Sequence, residues 1–183
     1  MRERRPFSSQ LSPAYLLLGL LALAPSHGYE LHQKIERDLR YVWRLSLSQV
    51  YNVLSRLEKR GMIEGEIMEQ DERPDRKRFQ LTAEGEDQFK SWFGTPVGAS
   101  VHAVRIAFLS KLYFAHQLPD LDTEALWEDQ YAAIEDGVAR MERRLAGAAD
   151  THPILEQSLR LRVMQLRTLL DWFSGCKRSF VNQ

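Results

Sequence analysis

One short segment, residues 46–61, carries side chains suited to recognising another molecule by hydrogen bonding. Ser46 and Gln49 have the spacing of a capping box and Gly61 stands where a helix commonly ends, so a helix is predicted between them. Opposite its apolar side, the helix presents hydroxyl, amide, phenol and cationic groups: Ser48, Gln49, Tyr51, Asn52, Ser55, Arg56 and Lys59. Glu58 is the only carboxylate between residues 44 and 60, so this side suits a negatively charged partner that accepts and donates hydrogen bonds.

Duplex DNA is such a partner, because a helix fits its major groove and each base pair displays a distinct donor and acceptor pattern there. The candidates for base edges and phosphates are the uncharged members of the set: Ser48, Gln49, Tyr51, Asn52 and Ser55. Arg56 and Lys59 are candidates for the phosphate backbone. The alternative is a solvated helix face without a binding role.

A second group of cations lies between two predicted strands. Residues 63–67 and 79–81 alternate between apolar and polar side chains, as half-buried strands do. The segment between them is polar and interrupted by proline, which predicts an exposed β-wing. Its cations Arg73, Arg76 and Lys77 could reach flanking phosphates or an adjacent minor groove. Nearby acidic residues dilute this charge, and the alternative is a charged loop that is only solvated.

The surrounding residues predict the rest of a winged helix-turn-helix. Ser12 as N-cap and Pro13 at the first position begin a helix that is apolar on nearly every side, so other elements must cover it. A second helix is predicted from residue 26 or 27 to residue 40, and Thr82 caps a fourth. The order helix, helix, helix, strand, wing, strand, helix therefore predicts a winged helix-turn-helix domain over residues 1–93.

The remaining chain predicts a linker and an all-α domain, so the fold class is mainly α. Residues 94–100 are small and rich in glycine and proline, as linkers are. Residues 101–183 predict a helical dimerisation domain, with helices near 101–117, near 122–146 and from 151 onwards. The middle helix has a heptad seam that predicts pairing between two chains: Trp127, Tyr131, Ile134, Val138, Met141 and Leu145.

Composition restricts the class of protein. The chain has 183 residues with 25 basic and 25 acidic side chains, so any DNA-binding surface must be local. Cys176 is the only cysteine, which excludes a disulfide within the chain and predicts a reducing, cytoplasmic location. The apolar run at residues 14–24 is about half the length of a membrane span and favours a buried helix over a secretory signal.

Catalysis, cofactors and metal binding are not predicted. The sequence has no nucleophile motif, phosphate loop or paired carboxylates in a fitting context, so we assign no catalytic residue and no cofactor. The five histidines are scattered, and the spacing of His27 and His32 does not place them on one helix face. Lys177 and Arg178 would lower the pKa of the Cys176 thiol, which leaves a redox role open beside that of an inert thiol.

Four runs of residues together resemble the PadR family of bacterial transcription regulators. They are LGLL at 18–21, HGYEL at 27–31, LSQVYNVLSRLEKRGMI at 47–63 and RFQLTAEG at 78–85. The resemblance covers about residues 12–93, and the later helices resemble the long C-terminal domain of the larger members.

This resemblance implies a homodimer that binds a near-palindromic operator. It implies recognition-helix contacts from Ser48, Gln49, Tyr51, Asn52, Ser55 and Arg56, and wing contacts from Arg76 and Lys77. Asn52 stands where many members carry proline. Members of the family commonly repress transcription until a small aromatic or drug-like ligand releases them, while some are activators. Side chains that could contact such an effector, or serve instead as core or dimer interface, are Trp92, Phe93, Phe108, Tyr113, Trp127, Tyr131 and Trp172.

The sequence thus predicts a cytoplasmic, homodimeric, sequence-specific transcription regulator rather than an enzyme. The alternative is a winged-helix module that binds proteins or ligands but not DNA, which the zero net charge also fits. Salt dependence distinguishes the two, because each phosphate that a protein neutralises releases a counterion.

Overall fold

The computed structural model describes residues 9–68, 76–148 and 152–181. The protein is mainly α-helical, with a winged helix-turn-helix followed by an all-helical region, as the sequence predicted. The elements in chain order are α1 Pro13–Leu23, β1 Ser26–His27, α2 Gly28–Asp38, α3 Leu47–Lys59, β2 Ile63–Met68, β3 Arg76–Leu81, α4 Ala83–Phe93, α5 Val101–Ala103, a π-helix Val104–Phe108, α6 Leu109–Gln117, α7 Thr123–Ala146 and α8 Pro153–Val181.

The chain divides into two compact units. The first contains Met1–Thr95 and Leu109–Leu121, and the second contains Pro96–Phe108 and Asp122–Gln183. The predicted helical region 101–183 is therefore shared between the units, because α6 packs with the first of them. The assignment of residues 1–93 to DNA binding and 101–183 to dimerisation stays a prediction.

Helix α1 forms the centre of the first unit. Its residues from Ala14 to Leu21 are all buried, which confirms that a helix without a polar face is covered by other elements. A Cβ at Gly19 would lie 2.3 Å from the Phe114 ring of α6, so the glycine lets that ring approach the backbone of α1.

The sheet is antiparallel, in the order β1-β3-β2. Ile63 pairs with Leu81 across β2 and β3, as the two predicted strands require. The second helix was predicted to begin at about Ser26 or His27, and this start was wrong. These two residues form β1, because Ser26 pairs with Phe79 of β3, and this extended pairing delays the start of the helix to Gly28.

The turn after α3 attaches α4 to the sheet. Gly61 has a φ of 72°, which confirms the left-handed helix end predicted there. Thr82 donates its backbone N–H to Met62 and its hydroxyl to the Gly61 carbonyl at 2.7 Å. A Cβ at Gly85 would lie 1.9 Å from the Met62 carbonyl oxygen, so α4 can pack here only with glycine at residue 85.

Aromatic side chains fill the second unit. The Phe108 ring lies 5.1 Å from that of Trp127 and 4.6 Å from that of Phe173, between centroids. Gln130, fully buried on α7, accepts the Val97 backbone N–H at 2.7 Å and donates to the Val97 carbonyl at 3.1 Å. This double hydrogen bond fixes the start of the unit to α7.

Part of the predicted seam on α7 lies inside a single chain. Trp127, Ile134 and Val138 are at most 8% exposed, because α7 packs against α8 of the same chain. For these three residues the predicted contact between chains is corrected to a core contact within the chain. Tyr131, Met141 and Leu145 are partly exposed and stay predictions for the dimer interface.

None of the helices within the described ranges combines the length and the apolar character that crossing a bilayer requires.

Candidate nucleic-acid interface

The start of α3 is fixed by the predicted capping box. The backbone N–H of Gln49 donates to Ser46 Oγ at 3.3 Å, and the backbone N–H of Ser46 donates to Gln49 Oε1 at 2.8 Å. These two bonds satisfy donors that a helix start leaves without partners. Gln49 therefore stabilises the helix as well as standing on its outer face.

The side chains of α3 separate into a buried and an exposed face. Val50, Val53, Leu54 and Leu57 are at most 3% exposed and hold the helix against its unit. All seven side chains that were predicted to bind on this helix are exposed: Ser48, Gln49, Tyr51, Asn52, Ser55, Arg56 and Lys59. The structure therefore brings them together on one surface that contains no exposed carboxylate.

Tyr51 on this surface is positioned by Gly28 at the start of α2. The Tyr51 side chain is 45% exposed, and a Cβ at Gly28 would lie 2.6 Å from its ring. The glycine in the HGYEL run thus leaves room for the tyrosine of the next helix. This is a physical reason for that residue that sequence reasoning did not find.

Of the three cations predicted for the wing, only Lys77 has its side chain within the described part of the structure. Arg73 lies outside the described residues, and so does the side chain of Arg76, which begins β3. Lys77 is described, and its Nζ lies 2.7 Å from a carboxylate oxygen of Glu58 on α3. Gly65 of β2 makes this possible, because a Cβ there would lie 2.2 Å from Lys77 Cε. The ion pair joins β3 to α3.

Histidines fix the elements around α3. His27 Nδ1 lies 3.0 Å from the Lys77 carbonyl oxygen, which ties the start of α2 to β3. His32 Nε2 lies 2.9 Å from the carbonyl oxygen of Leu45, which holds the segment that leads into α3. These contacts give both residues a positioning role.

Helix α6 supports α2 through a polar network. The Tyr113 hydroxyl donates to Asp38 Oδ2 at 2.9 Å, and Arg37 Nε donates to Asp38 Oδ1 at 2.7 Å. The hydrogen bond from Arg37 holds the pKa of the Asp38 carboxyl below its usual value, whereas burial raises the pKa of the Tyr113 phenol. Trp43 Nε1 also donates to Ser110 Oγ at 2.8 Å, so α6 fixes the end of α2 and the turn after it.

Lys111 of α6 is fully buried, which sequence reasoning did not anticipate. Its Nζ donates to the Thr95 carbonyl and lies 5.1 Å from the centroid of the Trp92 ring. Burial lowers the pKa of Lys111 to about 7. Within the described residues no carboxylate forms an ion pair with it, so its positive charge is not compensated by an anion.

Of the aromatic side chains considered for an effector, Phe108 packs against Trp127 and Trp172, and Trp92 packs against Phe89 and Phe114. Trp92, Phe93, Phe108 and Trp127 are at most 4% exposed. Burial raises the pKa of the Cys176 thiol, and the neighbouring Lys177 forms an ion pair with Glu124. The lowered thiol pKa expected from neighbouring cations is therefore wrong. In the described part of the chain, no cluster of three or more His, Cys, Asp or Glu side chains could hold a metal ion.

The fold and this surface define the class as a winged helix-turn-helix protein, and comparisons with known proteins refine it. Residues 17–91 match the Transcriptional regulator PadR-like family. The matched residues extend from α1 to α4, that is, over the winged helix-turn-helix elements.

Individual proteins are also similar to the chain. The chain is 26% identical over 140 residues to Negative transcriptional regulator PadR of Bacillus subtilis, across 73% of this chain and 75% of that protein. It is 28% identical over 85 residues to Probable transcriptional regulator Rv1176c of Mycobacterium tuberculosis, across 46% of this chain and 44% of that protein. Among solved structures it is similar to Bacillus subtilis PadR in complex with operator DNA, with a TM-score of 0.44, 21% identity and coverage of 89% and 94%.

Proposed function

We propose that the protein is a sequence-specific DNA-binding transcription regulator of the bacterial cytoplasm. It acts as a homodimer on a near-palindromic operator, as a repressor that responds to a small aromatic ligand. Recognition is assigned to the exposed face of α3, with the wing on flanking phosphates.

The observation that carries this proposal is the chemistry of that exposed face. It combines hydrogen-bonding side chains with Arg56 and Lys59, and the nearest carboxylate, Glu58, is engaged by Lys77. Base edges require donors and acceptors, and the surrounding phosphates exclude uncompensated negative charge. A helix face with this composition therefore matches the hydrogen-bonding groups and phosphates of the major groove.

The experiment that tests the proposal is selection of bound duplexes from a random library with the purified full chain, followed by a salt titration of the selected site. A DNA-binding regulator enriches one near-palindromic sequence, and its affinity falls steeply with salt. Absence of any sequence-preferring duplex binding at low salt would instead support a winged-helix interaction module.

Asn52→Ala is expected to relax the sequence preference. Asn52 lies at the centre of the exposed face, and a good base contact contributes about 1–3 kcal/mol of discrimination. Competition between the selected operator and single-base variants measures the effect. Gln80→Ala, which removes an exposed amide from β3, is the control and should keep the wild-type preference. Unchanged discrimination by Asn52→Ala would remove this residue from the base-reading set.

Glu58→Gln is expected to strengthen binding to all duplexes by roughly 1.4–5-fold per protomer, since exposed ion pairs contribute about 0.2–1 kcal/mol. The substitution frees Lys77 from its partner and removes a negative charge beside the DNA. The slope of log affinity against log salt should steepen by about 0.9 for each phosphate gained. Glu64→Gln changes the charge equally on β2, where Glu64 accepts from Gln80. Equal effects of the two variants would mean that only net charge matters.

The outer stripe of α8 supports the proposed homodimer. It comprises eight exposed, uncharged side chains that recur along one face of the helix: Ile154, Gln157, Ser158, Leu161, Met164, Gln165, Thr168 and Trp172. The hydroxyls of Ser158 and Thr168 donate to carbonyls four residues earlier, at 2.7 and 3.0 Å, so they do not depend on water. A long helix with an uncharged outer face suits pairing with a second copy of itself.

The proposed repression follows from the name of the Bacillus subtilis relative, and the ligand response follows from the family resemblance. A reporter gene placed behind the selected operator tests both. Expression of the protein should lower reporter output, and an active aromatic compound should restore it. Increased output would identify an activator, and no response across a panel of aromatic acids, phenols and drug-like cations would contradict ligand control.

A further inference from the structure

The turn between α2 and α3 contains two arginines and a tyrosine that no role described so far uses. Leu39 and Trp43 are at most 8% exposed and anchor this turn, and the backbone N–H of Trp43 donates to the Leu39 carbonyl at 2.8 Å. Arg40, Tyr41 and Arg44 lie between and after these anchors and are exposed. The buried residues therefore fix which side chains of the turn face outward.

The three side chains surround a shallow depression of about 490 Å³, which is also lined by Glu36, Leu45 and Ser46. Arg40 Cζ lies 4.8 Å from the centroid of the Tyr41 ring, and Tyr41 is 78% exposed. Stacking on the ring orders the guanidinium without neutralising it. Glu36 contributes the opposing charge in this depression.

Neither arginine is neutralised by a partner in the described residues, since no carboxylate there forms an ion pair with Arg40 or Arg44. By contrast, Arg37 in the same region pairs with Asp38. Two unpaired guanidinium groups and a phenol around one depression can bind an anion, because guanidinium matches the geometry of phosphate oxygens.

The position of this surface favours the phosphates of duplex DNA as the anion. Ser46, which lines the depression, is the N-cap of α3, and its Oγ lies 3.0 Å from Ser48 Oγ on the proposed base-reading face. The cations already assigned, Arg56, Lys59 and Lys77, lie toward the other end of α3 or on the wing. A helix in the major groove has a phosphate backbone on each side of it, so a cationic surface at the N-terminal end of α3 can add a backbone contact that those cations do not make.

We infer that Arg40, Tyr41 and Arg44 form a second phosphate-binding surface, which contacts the duplex backbone beside the N-terminal end of α3. This inference rests on the proposed DNA binding. It adds contacts that carry no sequence information and that fix the angle at which α3 enters the groove.

The test compares the full-length Arg40→Gln/Arg44→Gln protein with wild type in salt titrations on the selected operator and on an unrelated duplex. Affinity should fall roughly 5–50-fold on both duplexes, and the salt slope should shrink by about 1.8 per protomer, at about 0.9 per phosphate contact. Arg143→Gln/Arg144→Gln is the matched control, because it removes two exposed arginines from the end of α7. Tyr41→Phe should weaken binding less than the double substitution.

The outcomes separate this inference from the proposed function. If wild type binds no duplex at any salt concentration, the proposed function fails. If wild type binds but the double variant keeps the wild-type slope, or if the α7 control loses as much, the turn is not a phosphate contact and the inference alone is overturned. Thermal melting of the variants checks that the exposed substitutions leave the fold intact. Ethylation of the operator phosphates that the turn contacts should weaken binding of the wild-type protein. Ethylation of the same phosphates should have no effect on binding of the double variant.

Discussion

Leu161→Asp is expected to dissociate the proposed dimer and to reduce operator affinity by more than about 100-fold, since an unpaired carboxylate in an interface costs about 3 kcal/mol or more. Leu161 is 51% exposed in the single chain and lies in the middle of the outer stripe of α8. A two-fold interface would bring the two aspartates close to each other. A monomer would engage only one half-site, and operator binding would weaken accordingly.

Sedimentation equilibrium measures the first effect, and binding to the selected operator measures the second. Leu155→Asp is a closely matched control, because Leu155 is 48% exposed on the same helix but lies off the stripe. It should leave the dimer intact. A Leu161→Asp protein that sediments as a dimer would move the interface away from α8, and the partly exposed Met141 and Leu145 of α7 would then be the next candidates.

The second large effect is expected in the pH dependence of stability, at Lys111. Its pKa is about 7 in the folded protein and about 10.4 in an unfolded chain. Between these two pKa values the unfolded state binds more protons than the folded state does. The Lys111 contribution to the unfolding free energy therefore increases with pH. The stability gained at high pH is lost as pH falls toward 7, where the buried amine becomes charged.

Lys111→Met is expected to remove this contribution while filling a similar volume. The stability of wild type relative to the variant should rise by about 2 kcal/mol between pH 7 and 9, because one shifted group contributes at most about 1.4 kcal/mol per pH unit. Urea unfolding at each pH measures the difference. Lys59→Met, which removes an exposed amine from α3, should follow wild type. If the unfolding free energies of wild type and Lys111→Met change with pH in parallel, the buried amine keeps its proton at pH 9.

Local signals predicted the winged helix well. The capping box of Ser46 and Gln49, the glycine at residue 61 and the alternation of the two strands each determine backbone geometry within a few residues, and the structure has all of them. The exposed face of α3 followed directly, because the helical repeat determines which side chains lie opposite a buried face.

Features that depend on distant residues were missed. The strand at Ser26 forms only because Phe79 lies opposite, and two residues are too few to show a periodic pattern. The seam on α7 was assigned to a second chain because an apolar face reveals burial but not the element that buries it, and here α8 of the same chain packs against α7, on which Ile134 is fully buried. Lys111 was overlooked because its burial follows from the packing of α6 around the Thr95 carbonyl.

The capping role of Gln49 has a consequence for how near-correct operators are distinguished. Its side-chain oxygen accepts from the Ser46 backbone N–H in the free protein, which holds the amide over the helix start rather than in the orientation that a bidentate contact with a base would require. In the proposed complex, an adenine at this position would compete with the cap for the amide, while other bases would leave the capping hydrogen bond in place. Gln49 would then discriminate only by the difference between two hydrogen-bonding arrangements, with the cap contributing about 1 kcal/mol to one of them. Operators that differ at that base pair would therefore differ only modestly in binding free energy.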